Sequence, residues 1–363
     1  MNKCFITKLP SSVDNDNLPV LGQLRINWSK QSDLTDNEAR AIGFATNDSI
    51  TIKVSGAHFT DNTLASNLGN TKTFTAADGA VWLYVSNDAD AVLTIDNKYS
   101  LTWLNFTKPS KQALKRSVEF DINDIRYCTA LGVINLENTQ VSGDISAISQ
   151  LTGLTYLNLN NTQVSGDINA ISQLTSLTSL SLTNIQVSGD ISAVSKLTAI
   201  NTLNLDNTQV SGDISAISQL TALTTFSLNN TNVSGKIDSF ANLTKLSDLT
   251  NLKGLSLTGD MSKIPAGTKF ISQTGRKVTT NFTWTAKGRQ NATLLAMEGN
   301  IPFDTVSMDN MIIDQATCTF KGNESLPYTK IISVSGTRTS ASDAAVATLQ
   351  SKGVTITGVT KQA

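Results

Sequence analysis

Four aspartates recur at a spacing of 23 residues and are the most regularly placed carboxylates of the chain. They are Asp144, Asp167, Asp190 and Asp213. Carboxylate oxygens suit calcium, so a stacked row of them can hold cations between turns. Each Asp can instead cap the short turn that follows it, such as residues 145–149. Lys236 stands at the same position of the next copy. It favours capping, and we predict no metal site.

The sequence lacks the groupings of residues that would support catalysis. His58 is the only histidine, so neither a Ser-His-Asp nor a Cys-His arrangement is indicated. Phosphate-cradling glycine motifs are absent as well. Cys4, Cys128 and Cys318 are odd in number and far apart, which fits neither a disulfide framework nor a metal site. We expect buried thiols, no cofactor and no enzymatic activity.

The aspartates belong to near-identical repeats that must be positioned by stacking. VSGD begins at Val141, Val164, Val187 and Val210, and VSGK begins at Val233. Each aligned unit reads L-T-x-L-x-x-L-x-L-x-N-T-x-V-S-G-D-I-S-A-I-S-x. One unit buries little by itself, so its stability must come from its neighbours.

This unit resembles the leucine-rich repeat, in which L-x-x-L-x-L is a short parallel strand and the remainder returns the chain. The resemblance covers residues 117–261 and implies an α/β solenoid with a parallel sheet. Its expected core positions are Leu154, Leu157 and Leu159; Leu177, Leu180 and Leu182; Ile200, Leu203 and Leu205; Leu223, Phe226 and Leu228; and Val164, Ile168 and Ile171.

The unit departs from the family pattern in two ways. Where the family places Asn after the strand, this chain has Thr139, Thr162, Ile185, Thr208 and Thr231. A Thr hydroxyl can still bond backbone groups, whereas Ile185 cannot. The S-G-D-I segment resembles the plant-type subclass, and the pattern decays after Val233. Residues 249–261 are predicted to form a shortened last turn.

In this family the solvent side of the strands is the usual ligand face. The candidate ligand-binding residues on it are Tyr156, Asn158, Asn160, Ser181, Asn204, Asp206, Ser227 and Asn229. Binding hot spots favour Trp, Tyr and Arg, and Tyr156 alone qualifies. Two interpretations stay open: a face that binds a host-surface protein or glycan, and a plain solvated spacer.

Residues 1–116 are predicted to form a β domain, a small sandwich or barrel, because short apolar or alternating runs are separated by polar turns. The runs cover residues 23–28, 49–54, 80–85, 91–95 and 101–106. Trp28, Trp82 and Trp103 fall within them, either as core residues or as an exposed platform for a sugar. Asp121 or Asn123 is placed to cap the first turn of the repeats.

Residues 262–363 break the period and are predicted to form a β/α cap over the open end of the solenoid. Strand-like pieces cover residues 279–285, 311–313 and 330–334. A helix follows, with Ser342 or Asp343 as its cap and Gly353 at its end. Val354, Ile356 and Val359 are expected in a final strand.

Composition and charge narrow the functional classes. Lys and Arg number 28 against 29 Asp and Glu, without a basic stripe, so nucleic-acid binding is not expected. Neither a secretory signal nor a membrane span of roughly 18 apolar residues is visible. Low charge and abundant Thr, Ser and Asn are common in adhesins and virus fibres.

The segment 1–26, with the repeats behind it, resembles proteins of phages and prophages that infect Bacteroides-type gut bacteria. The resemblance implies a non-catalytic virion appendage, a tail fibre or tail-tip protein for host attachment, which is released without a signal peptide. Its N-terminal domain would contact other virion proteins, and a homo-oligomer is expected. The alternative is a bacterial leucine-rich-repeat surface adhesin or a cytoplasmic protein-interaction scaffold.

Overall fold

A computed structural model of the chain describes residues 23–28, 40–55, 57–60, 68–85, 91–106, 118–246, 249, 252, 254–265, 270–271, 282–285, 297–317 and 331–362. Over these residues the fold is mainly β, with parallel sheets and few helices. The N-terminal strands are β1 (Leu24–Trp28), β2 (Arg40–Thr46), β3 (Ile50–Ser55), β4 (Phe59–Thr60), β5 (Thr71–Phe74), β6 (Val81–Val85), β7 (Ala91–Ile95), β8 (Leu101–Asn105) and β9 (Val118–Glu119). They confirm the five predicted runs and add β2, β4, β5 and β9.

These strands form two antiparallel groups. One has the order β5-β3-β7-β1-β9, and the other has the order β4-β6-β2-β8. In β3, Ile50, Ile52 and Val54 are buried while the residues between them point outward, as the period of two requires. A closed sandwich or barrel over residues 1–116 stays a prediction, because several connecting segments lie outside the described residues.

The repeats form a solenoid with two strands in each turn. The strands are β10 (Val133–Asn135), β11 (Ser142–Asp144), β12 (Tyr156–Asn158), β13 (Gln163–Asp167), β14 (Ser179–Ser181), β15 (Gln186–Asp190), β16 (Thr202–Asn204), β17 (Gln209–Asp213), β18 (Thr225–Ser227), β19 (Asn232–Lys236) and β20 (Ser256–Thr258). The even-numbered strands from β10 to β18 pair in parallel, so that Leu157 lies beside Leu180 and Leu180 beside Leu203. All fifteen predicted core positions are at most 2% exposed, which confirms the leucine-rich architecture.

The second strand of each turn belongs to a parallel sheet of its own, in the order β11-β13-β15-β17-β19-β20. A short 3-10 turn follows each copy of the motif, for example Ile168–Ile171. Asp121 opens this series, since its side chain accepts a hydrogen bond from the Asn123 backbone as predicted. It also forms a parallel bridge with Ser142.

Asparagine side chains link successive turns after the first strand. Asn138, Asn161, Asn184, Asn207 and Asn230 all adopt the left-handed conformation, with φ between 56° and 59°. Asn tolerates this region better than other side chains with a Cβ. From Asn161 onward, each amide Nδ2 donates to the Oδ1 of the ladder asparagine in the preceding turn, at 2.7–2.9 Å. The ladder fixes the spacing of the turns.

The threonine that follows each ladder asparagine bonds back to its own strand, as predicted. Thr162 Oγ1 donates to the Leu159 carbonyl at 2.8 Å, and Thr208 donates in the same way to Leu205 at 2.7 Å. Ile185 is buried at this position and has no hydroxyl to donate. Hydroxyl groups thus replace the usual Asn amide.

The shortened last turn predicted for residues 249–261 is wrong. Gly235 pairs with Leu257, just as Gly212 pairs with Val233 in the preceding turn. Residues 257–260, Leu-Thr-Gly-Asp, therefore occupy the V-S-G-D positions, 24 residues after Val233. The repeat pattern misleads here because Leu257 stands where the other copies have Val. A leucine at this position makes the end of the turn look like the first strand of a repeat.

The first sheet of the solenoid continues into the N-terminal strands. β8 pairs in parallel with β10 and antiparallel with β2, so one nine-stranded sheet runs β18-β16-β14-β12-β10-β8-β2-β6-β4. On the other side β9 pairs with β1. Lys98, which is nearly buried, donates from Nζ to the Asp124 carbonyl at 2.6 Å. The first strands therefore cover the apolar end of the solenoid.

Parallel stacking also continues into the C-terminal region. Its elements are β21 (Phe270–Ile271), β22 (Met297–Pro302), α1 (Thr305–Thr317), β23 (Ile331–Arg338), α2 (Asp343–Ser351) and β24 (Thr355–Lys361). The four strands are parallel and adjacent in sequence order. Asp260 bridges Thr283, and the Phe303 backbone donates to Ser335. That this region serves as a cap stays a prediction.

Two sequence predictions in this region have different outcomes. The helix followed by a strand is confirmed by α2 and β24, with Gly353 at a φ of 78° after the helix. Ser342 stands at the N-cap position, but its side chain makes no capping hydrogen bond. The strand at 311–313 is wrong, because these residues lie within α1. Met308, Met311 and Ile312 are buried along one face of this helix. In the sequence, the three adjacent apolar residues 311–313 concealed the helical spacing of these buried positions. Within the predicted strand 279–285, residues 279–281 lie outside the described part.

Candidate binding face

The solvent side of β8, β10, β12, β14, β16 and β18 carries side chains in rows, and we call it the strand face. Residues such as Leu157 point inward and are buried, so their neighbours on either side point outward. The first row is Trp103, Val133, Tyr156, Ser179, Thr202 and Thr225. The second row is Asn105, Asn135, Asn158, Ser181, Asn204 and Ser227.

Two of the predicted ligand-binding residues in the second row are less open than the sequence suggested. Asn158 is 6% exposed and donates from Nδ2 to Glu137 Oε2 at 3.2 Å. Ser227 is 4% exposed and donates to Asp206 Oδ1. Placing these two on an open face is therefore wrong, because the turn residues that follow the strands fold over them.

The turn residues after the strands form a third row. It consists of Glu137, Asn160, Thr183, Asp206 and Asn229. Asn160 Oδ1 accepts from the Thr183 backbone at 2.7 Å, and Asp206 Oδ1 accepts from the Asn229 backbone at 2.6 Å. Such bonds between turns hold this edge of the face rigid.

The structure gathers all eight predicted residues on one side of the solenoid. Tyr156, Asn160, Ser181, Asn204, Asp206 and Asn229 are half-buried there. They lie in successive turns of the solenoid, as the register of the repeats implied. Their role in ligand binding stays a prediction.

Sequence reasoning missed the extension of this face into the N-terminal strands. Trp82 of β6 and Trp103 of β8 lie on the same side of the nine-stranded sheet, half-buried, with ring centroids 5.6 Å apart at 89°. The spacing L-x-x-L-x-F at residues 101–106 matches the first strand of the repeat and could have revealed Trp103. For Trp28, the strand is as predicted, but the side chain lies outside the described part.

The aspartate ladder forms a series of caps. Asp144, Asp167, Asp190 and Asp213 each accept the backbone N–H two residues on, at 2.7–2.8 Å. Lys236 makes no such side-chain cap. In the part of the chain that the structure describes, no cluster of three or more His, Cys, Asp or Glu is placed to hold a metal ion. The geometry supports the capping interpretation.

The capping bonds make stability depend on pH. The Ser146, Ser192 and Ser215 backbone N–H groups lower the pKa of Asp144, Asp190 and Asp213 below the ordinary 3.8. A carboxylate with a lowered folded-state pKa stabilises the fold above its unfolded pKa, and this stabilisation is lost as the pH falls through the folded value. We expect the urea midpoint of the chain to drop as the pH falls below 3.8.

A triple variant separates these caps from other carboxylates. Asp144→Asn, Asp190→Asn and Asp213→Asn keep a capping oxygen but remove the titration, since Asn caps about as well as Asp. The variant is expected to lose less stability than the native chain between pH 7 and pH 3, measured by urea unfolding with circular dichroism. An equal loss in both proteins would show that the caps do not carry the pH dependence.

The buried cysteine and the helices add no further site. Cys128 is buried, and burial raises the pKa of its thiol to about 11, so it stays protonated. Cys4 and Cys318 lie outside the described residues. Among the helices that the structure describes, none has both the length and the hydropathy to cross a membrane.

The chain is distantly similar to several solved structures. The plant peptide hormone receptor RGFR1 in complex with RGF2 is 18% identical with a TM-score of 0.47, over 66% of this chain and 38% of that chain. An internalin, InlF, from Listeria monocytogenes is 20% identical with a TM-score of 0.38, over 74% of this chain and 84% of that chain. A plant ice-binding protein is 19% identical with a TM-score of 0.36, over 50% and 69%.

All three likenesses are under 25% identical and have TM-scores below 0.5. The chain spans 38% of the length of the RGFR1 chain and 26% of the length of the matched chain in the PEPR1-AtPEP1 structure. No protein-family model and no curated protein matches it. The assignment of function therefore rests on the strand face itself.

Proposed function

We propose that the chain is a non-catalytic binding protein that holds a partner protein on its strand face, as a surface adhesin or interaction scaffold. The observation that carries this proposal is the strand face. Its first-row residues Tyr156, Ser179, Thr202 and Thr225 remain accessible to solvent on strands fixed by a fully buried core. Five spacings of about 4.8 Å make it ~24 Å wide from β8 to β18.

Rigidity favours binding by this face. Side chains that already bond to neighbouring turns, such as Asn160 and Asp206, lose little conformational freedom when a partner docks. Glu137 and Asp206 are the charged residues of the three rows, and both are acidic. The face therefore suits a neutral or basic protein surface and disfavours nucleic acid.

A crosslinking experiment tests the proposal. A photoreactive amino acid at Thr202, on the strand face, is expected to crosslink one discrete protein from the cells or particles that carry this chain. Ser215 is exposed on the 3-10 turn at the other side and serves as the control position.

The crosslinked protein, once purified, gives the decisive measurement. Thr202→Arg with Thr225→Arg places two bulky cations side by side on the face, since these residues are in register. The pair is expected to weaken binding about 100-fold, as for the loss of a hot-spot region, while Ser215→Arg leaves affinity unchanged. Equal affinity of all three proteins would contradict a strand-face interface.

A narrower form of this proposal is the virion appendage. It is supported by the resemblance of segment 1–26 to proteins of Bacteroides phages and by the low charge and Thr/Asn richness of the chain. Residues 1–22 lie outside the described part, and no comparison bears on this form. Neighbouring genes for capsid, portal and tail proteins would support a virion location. A neighbouring outer-membrane exporter would support the cell surface instead.

A further inference from the structure

Aromatic and apolar side chains form a continuous strip at the N-terminal end of the nine-stranded sheet. Trp82 on β6, Trp103 on β8, Val133 on β10 and Tyr156 on β12 all point to the solvent side, and we call them the aromatic strip. Their orientation follows from the alternation of each strand. The adjoining residues Leu83, Leu104, Ile134 and Leu157 are buried in the core.

A glycine forms the floor beneath the two tryptophans. Gly43 of β2 lies between β6 and β8, and a Cβ built on it would come within 2.7 Å of Trp103 Cη2 and 3.2 Å of Trp82 Cε2. The rings therefore lie directly over the backbone of β2. Their edge-to-face contact, with centroids 5.6 Å apart, fixes both orientations.

The strip remains partly open to water although the core below it is complete. All four of its residues are half-buried, whereas the adjoining inward residues Leu83, Leu104, Ile134 and Leu157 are at most 7% exposed. Contiguous apolar side chains left open on a surface mark interaction sites. The strip is therefore neither part of the packed core nor a single exposed ring.

The surroundings of the strip define the chemistry of its ligand. Thr102 and Thr155 flank it on one side and Asn105 flanks it on the other, and none of these seven side chains carries a charge. Asn135 and Asn158 continue the second side but are only 8% and 6% exposed, and beyond them Glu137 Oε2 accepts from Asn158 Nδ2 at 3.2 Å. A cationic ligand would call for a carboxylate within the strip, and a nucleic acid would call for Lys or Arg along it.

A chain of neutral sugar rings matches this pattern. A pyranose has an apolar C–H face that stacks on an aromatic ring and a rim of hydroxyls that pairs with amides and hydroxyls. From β6 to β12 are four strand spacings, which make the strip ~19 Å long and suit an oligosaccharide better than a single sugar. We propose that the aromatic strip binds a neutral oligosaccharide.

The aromatic strip shares Trp103, Val133 and Tyr156 with the strand face, but its test is independent of the two residues chosen to test protein binding. Thr202 and Thr225 lie on β16 and β18, two or more strands away from Tyr156 on β12. Failure of either proposal therefore leaves the other in place. The probes for the sugar site are cellohexaose, maltohexaose, mannohexaose and chitohexaose, titrated into the full chain and followed by calorimetry.

At least one of these four probes is expected to bind with a Kd below about 1 mM. Trp82→Ala with Trp103→Ala is expected to weaken that binding more than about tenfold, and Tyr156→Ala about threefold, since each removes a stacking partner. Tyr127→Ala is the matched control. Tyr127 is 59% exposed and stacks with Arg126 in the turn before β10, away from the strip.

The binding experiment remains decisive even if the double tryptophan variant fails to fold. Tyr156→Ala removes a half-buried surface ring and keeps the core, so circular dichroism should match that of the native chain. Weaker binding by Tyr156→Ala and unchanged binding by Tyr127→Ala support the proposal. It is overturned if no probe binds the native chain at about 10 mM, or if Tyr156→Ala and Tyr127→Ala bind equally well.

Discussion

Gly212→Ala is expected to lower the free energy of unfolding by about 2–4 kcal/mol, a large loss for replacement of one hydrogen by a methyl group. Gly212 has a φ of 103°, a conformation that side chains with a Cβ rarely adopt. A Cβ there would also lie 2.6 Å from Asp190 Oδ2 and 2.7 Å from Asp190 Cγ. Since Asp190 is held by its cap bond to the Ser192 backbone at 2.7 Å, it cannot move away without losing that bond.

Urea unfolding followed by circular dichroism measures this loss, and two variants divide it into its causes. Gly153→Ala is the matched control, because Gly153 is exposed and its nearest atom to a new Cβ is the Thr129 carbonyl at 3.9 Å. It is expected to change stability by less than about 0.5 kcal/mol. Adding Asp190→Ala to Gly212→Ala removes the clash and leaves the backbone strain, so the two changes should cost less together than their sum. Equal effects of Gly212→Ala and Gly153→Ala would contradict the argument.

The same glycine shows what the repeat pattern could predict. The L-x-x-L-x-L spacing identifies Leu180 and its equivalents as core, because each turn must bury the same positions against the next. The S-G-D motif is equally regular in the sequence, but its regularity comes from a contact between neighbouring turns. The carboxylate of one turn lies over the glycine of the following turn, as Asp190 does over Gly212. Sequence spacing alone does not reveal such a contact.

Positions that depend on backbone conformation were also beyond the sequence pattern. The Asn161 amide ladder exists because these residues adopt positive φ angles, which follow from the tight turn after each strand. The register of the last turn depended on Leu257 replacing Val. In α1, the buried Met308 and Ile312 belong to a helical period that three adjacent apolar residues concealed.

The candidate sites differ in how far the sequence could locate them. Rows such as Tyr156 and Ser179 follow directly from the repeat register. Trp82 and Trp103 meet only because β2 lies between their strands in an antiparallel register with Gly43 at the crossing. No short-range signal encodes that pairing. The aromatic strip therefore required the fold.

Leu104→Ala is expected to destabilise both the N-terminal strands and the solenoid, by about 3 kcal/mol. Leu104 is fully buried, and it pairs with Phe44 of β2 on one side and Ile134 of β10 on the other. Since the nine-stranded sheet crosses this point, a cavity there weakens the contact that closes the apolar end of the repeats. Solenoid turns without a covered end lose the neighbour on which their stability depends.

Hydrogen exchange by mass spectrometry tests whether the effect crosses the junction. Peptides from β2 and β3 and peptides from β12 to β16 are expected to lose protection together in Leu104→Ala, because local openings follow cooperative units. Leu68→Ala is the control, since Leu68 is 42% exposed and should change protection in neither set. A loss confined to β2 and β3 would mean that the solenoid is stable without its N-terminal strands. A loss in both sets would show that residues on either side of position 116 fold as one unit, with the aromatic strip built across their boundary.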